Sequence, residues 1–114
     1  MAGQRINAVV LVEDPLLIYN AEQSAKLALK YRLASCGFLE FAQAGGLLGY
    51  GIDYLDMWRH AATLVDKILK GANPADIPVE RATKFAALVN LRTAKAIGIN
   101  VPTSLLLRAD QVIE

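Results

Sequence analysis

The chain has 114 residues, a formal net charge of +1 and one cysteine, Cys36. Hydrophobic residues make up 54% with glycine left out, where ordinary domains reach about 45–50% with glycine counted. That composition excludes disorder, a strongly basic nucleic-acid footprint, an intramolecular disulfide framework and a multi-cysteine zinc site. Ala8-Val9-Val10-Leu11-Val12 is a continuous apolar, mostly β-branched run, the pattern of a strand covered on both faces of a parallel sheet. Asp14 then Pro15 reads as N-cap and N1 of a helix from Pro15 to Tyr31, with Leu17, Tyr19, Ala21, Ala25, Ala28 and Leu29 as its apolar stripe. Leu33 to Phe38 reads as a second strand, and Leu39 to Ala44 as one or two helical turns.

Four glycines between Gly45 and Gly51 then predict a bend or tight crossover. Asp53 opens a helix running to Lys70, with Tyr54, Leu55, Trp58, Ala61, Ala62, Val65, Ile68 and Leu69 recurring at threes and fours and Gly71 as C′ residue. Asn73 to Pro78 is a turn, and Lys84 to Val89 a strand. Asn90 caps a short helix closed by Gly98, and Ser104 begins a last helical turn. The order β-α-β-loop-α-β-α-α predicts an α/β fold with parallel βαβ units.

The chemistry-bearing residues are sparse. His60 has no second histidine near it and reads as part of a solvated helix face, able to bond Asp56 four residues earlier. Cys36 has no local base and reads as a buried structural thiol. The glycine cluster lacks the Lys-Ser or Lys-Thr of a phosphate loop, since Ile52-Asp53 follows Gly51. Two residues stand out as candidate ligand contacts. Asp14 follows the carboxyl end of a strand, where open α/β sheets bind ligands, although capping the Pro15 helix also accounts for it. Tyr50, between Gly49 and Gly51, projects either into a core or towards a ligand cleft. No catalytic residue, metal or cofactor is expected, and an enzyme built on Cys36 or His60 ranks last.

Several segments carry a resemblance. Ala44-Gly45-Gly46-Leu47-Leu48-Gly49-Tyr50-Gly51, Trp58 to Ala62 with Val65 to Gly71, Pro74 to Glu80, Thr83-Lys84-Phe85, Asn90 to Gly98, and Pro102 to Asp110 occur in one order. Together they resemble the carboxyl-terminal third of ABC-transporter substrate-binding proteins of the tryptophan/tyrosine-transport-like type. The resemblance implies a partial type I periplasmic-binding-protein-like fold, completed by homo-oligomerisation. It implies a binding protein that catalyses nothing, takes a small solute such as an amino acid between two lobes, and hands it to an ABC permease. Residues 1–43 would belong to the second lobe, 44–52 to a Gly-rich crossover or hinge, and 53–114 to the first lobe. Asp14, Gly46 and Tyr50 would bind the ligand. Members often have Pro after Leu33 and Ser at position 49, where this chain has Ala34 and Gly49. Members are periplasmic or extracytoplasmic; without a signal peptide the chain as written is expected in the cytoplasm, as a truncated remnant or, alternatively, a free-standing small-molecule-binding module.

Overall fold

A computed structural model describes residues 6–114. The amino-terminal reading of residues 1–5 lies outside these described residues. The elements in chain order are β1 (Ala8–Val10), α1 (Pro15–Tyr19), α2 (Ala21–Lys30), β2 (Ala34–Gly37), α3 (Leu39–Gln43), β3 (Leu48–Ile52), α4 (Tyr54–Leu69), a 3-10 turn (Pro74–Asp76), β4 (Phe85–Asn90), α5 (Leu91–Ile97), α6 (Thr103–Leu106) and β5 (Gln111–Ile113).

The chain divides into two compact units: one holds the described residues up to Gly51 with Ala86–Glu114, the other Ile52–Phe85. The sequence reading gave all of 53–114 to one lobe; residues 86–114 instead return to the unit of the first strands, because β4 and β5 pair in its sheet.

In the larger unit the strand order is β1-β2-β3-β4-β5. β1 and β2 run parallel with Val10 opposite Cys36, β2 and β3 parallel with Cys36 opposite Leu48, and β4 and β5 parallel with Val89 opposite Val112. The parallel α/β expectation holds, with two more strands than the pattern suggested. β3 was read as a loop because of its glycines, yet those glycines answer to packing. A Cβ on Gly49 would lie 2.8 Å from the Ala42 Cβ and 3.0 Å from the Phe38 carbonyl, so α3 can pass this close to the strand only over a glycine. The turn itself is made by Gly45, at φ +114°.

The helix expected over Pro15–Tyr31 is two helices. Asn20 leaves helical geometry (φ −103°, ψ 23°) and its side-chain amide donates to the Leu16 carbonyl at 2.8 Å, a local bond that competes with the helical ladder. Ala21, Ala25 and Ala28 of α2 are buried with Phe38 and Phe41, whereas Tyr19 is 89% exposed. A second cluster, Leu47, Val89, Ala94 and Val101, lies under α5 and the 99–109 segment. β1 is an edge strand: Val9 and Leu11 pack on the first cluster while Val10 and Val12 are each 75% exposed, so the run is covered on one face rather than two.

Three buried polar residues, Ser35, Asn90 and Thr93, tie these parts together. Ser35 Oγ accepts from the Leu47 N–H at 3.1 Å. Asn90 caps α5 as the sequence predicts, its Oδ1 accepting from the Thr93 N–H at 3.1 Å, and its Nδ2 donates to the Ala42 carbonyl at 3.2 Å. Thr93 Oγ1 donates to the Gly45 carbonyl at 2.8 Å. The turn between α3 and β3 is thus fixed by two side chains 48 residues further along.

The smaller unit is α4 and the strap that follows it. Asp53 caps α4, its Oδ1 accepting from the Asp56 N–H at 3.1 Å, and Gly71 follows the last turn at φ +103°. No α4 residue is buried.

Candidate functional site

The register of the larger unit decides which predicted site residues meet. Val10, Cys36 and Leu48 lie in line across β1, β2 and β3. Asp14 comes four residues beyond Val10 and Tyr50 two beyond Leu48, so both stand towards the carboxyl edge of three parallel strands. The strands they follow or lie on, β1 and β3, are two strand spacings apart, about 10 Å. Both are exposed, Tyr50 at 60%. Asp14 also caps α1, its Oδ1 accepting from the Leu16 N–H at 2.9 Å, so its two readings coexist. This edge is where open α/β sheets present groups to ligands.

Gly46 stands apart from that pair. It is buried and precedes β3, at the sheet's opposite edge. A Cβ there would lie 2.1 Å from Phe41 Cε1, so its role in this structure is to make room for a fully buried ring. Cys36 is half-buried, and burial pushes its thiol pKa up, which keeps it protonated and unreactive at neutral pH.

The smaller unit holds a groove of about 290 Å³ between α4 and the strap, lined in part by Asp53, Asp56, Met57, His60, Glu80 and Lys84. His60 pairs through Nε2 with Glu80, not with Asp56. Lys84 Nζ lies 3.1 Å from Asp53 Oδ2 and 3.9 Å from Asp56 Oδ1. The Asp53 N–H donates to the Lys84 carbonyl at 3.1 Å. Asp53 is held below the usual carboxylate range, first by the Asp56 N–H and then by Lys84, whose own pKa is raised by Asp53. Sequence spacing along α4 carried no signal for Glu80 or Lys84, which arrive on the returning strap. These charges clasp the strap to the helix. Among the described residues no group of three or more His, Cys, Asp or Glu side chains could hold a metal, and no helix is long and apolar enough to cross a membrane.

Five strands, mostly parallel, with helices from intervening βα segments define a periplasmic-binding-like α/β fold, and solved structures bear this out. The chain superposes on a conserved domain protein from Vibrio cholerae with a TM-score of 0.84 at 22% identity, covering 93% of this chain and 36% of that one. It superposes on the ABC domain in complex with L-Trp from Streptococcus pneumoniae with a TM-score of 0.82 at 25% identity, covering 96% and 38%. A ligand-free, open substrate-binding protein with adhesive properties from Clostridium difficile gives 0.69 at 21% identity, covering 93% and 36%. The chain therefore spans little more than a third of these proteins. No curated protein matches it. The model of the ABC transporter substrate binding protein family matches residues 5–113, and the chain belongs to that family.

Proposed function

We propose that the chain is a solute-binding component of an ABC transporter, or a truncated remnant of one, and that its ligand is an amino acid recognised at the carboxyl edge of the larger unit. The observation that carries this reading is the convergence of Asp14 and Tyr50 on one edge of a parallel sheet in a family of binding proteins. The chemistry suits the ligand class. A carboxylate attracts an ammonium group, and an exposed tyrosine ring offers a face for apolar or aromatic side chains. The Streptococcus pneumoniae neighbour, solved with L-Trp, supports an aromatic amino acid as the first ligand to try. Family partnership with a membrane permease follows from the same reading.

Calorimetry of the 114-residue chain against a panel of aromatic, branched and charged amino acids tests the proposal. The expected result is micromolar binding of one class, weakened at least tenfold by Asp14→Ala and by Tyr50→Ala. Absence of heat with every member, or binding indifferent to both substitutions, overturns it.

A further inference from the structure

We draw no further inference here: the strongest candidate, the groove between α4 and the strap, has Asp53 and Asp56 already paired with Lys84 and Glu80 with His60, and nothing in the structure shows what covers it.

Discussion

Gly46→Ala is the sharpest test of the packing around Phe41. The added Cβ would lie 2.1, 2.3 and 2.7 Å from Phe41 Cε1, Cδ1 and Cζ. Ordinary contact begins near 3.4 Å, so ring and backbone must part by about 1.3 Å. The ring has little room to retreat: Phe41 is fully buried, a Cβ at Gly37 would already be 2.9 Å from its Cδ1, and the Phe38 ring lies 6.1 Å away between centroids. Overpacking of this kind costs about 1–3 kcal/mol, and the rigid surroundings place it near the upper end. At roughly 4 °C per kcal/mol for a chain of this size, the melting temperature should fall by about 12 °C. Gly51→Ala is the control, since its Cβ would meet nothing closer than Leu39 Cγ at 3.6 Å. Adding Phe41→Leu, which removes Cε1 and Cζ, should recover part of the loss and give a favourable coupling of about 1–2 kcal/mol in a double-mutant cycle. A melting temperature for Gly46→Ala within 3 °C or so of the parent refutes the packing argument. If that variant also lost solute binding, the sequence-level assignment of Gly46 to the ligand would stand in its place.

Three further predictions follow from the same geometry. Asn90→Ala removes the α5 cap and the side-chain donor to the Ala42 carbonyl, which keeps the Gly45 N–H, so urea denaturation should show a loss of about 1–3 kcal/mol; a loss below about 0.5 kcal/mol would contradict the network. Asp53 has a depressed folded-state pKa, so its contribution to stability is present above its unfolded value, near 3.9, and is lost as pH falls through the folded value; Asp53→Asn should flatten the acid limb of a helix-content titration, and an unchanged limb argues against the clasp. Cys36, with its pKa raised by burial, should react with a disulfide reagent at pH 8 far more slowly in the folded chain than in urea, and equal rates would show the thiol to be open.

Elements with local signals were legible from the chain alone. Asp14-Pro15, Asp53 and Asn90 with Gly98 all cap where the sequence places them, because capping is a contact between residues two to four apart. β3 was not legible as a strand. Its glycines mimic a loop, and the close passage of Ala42 and Phe38 explains Gly49. β5 is three residues long and is fixed by Asp110, whose N–H donates to the Ala87 carbonyl and whose carboxylate accepts from the Ala87 N–H, each at 2.8 Å. Partners 23 positions apart leave no periodic trace. The same limit hid the return of residues 86–114 to the first unit and the pairing of His60 with Glu80. Asp14 was legible as a site candidate because its position after a strand is itself a local pattern; that it shares an edge with Tyr50 needed the register.

The high apolar content acquires a location. Among the described residues the buried apolar set is small and rich in alanine, and its large members are few: Phe38, Phe41, Leu47, Leu88, Val89 and Val101. Many more large apolar side chains are exposed: Leu16, Tyr19, Leu27 and Leu29 on α1 and α2, Leu55, Trp58, Val65 and Leu69 on α4, and Val10 on the edge strand β1 with Val12 just past it. Burying an exposed leucine or tryptophan contributes about 1.5–3 kcal/mol, so surfaces of this size left in water are a large forfeited stabilisation for a chain whose net stability is of order 10 kcal/mol. An edge strand pairs through backbone groups and accepts many partners, so β1 is the route by which this chain aggregates.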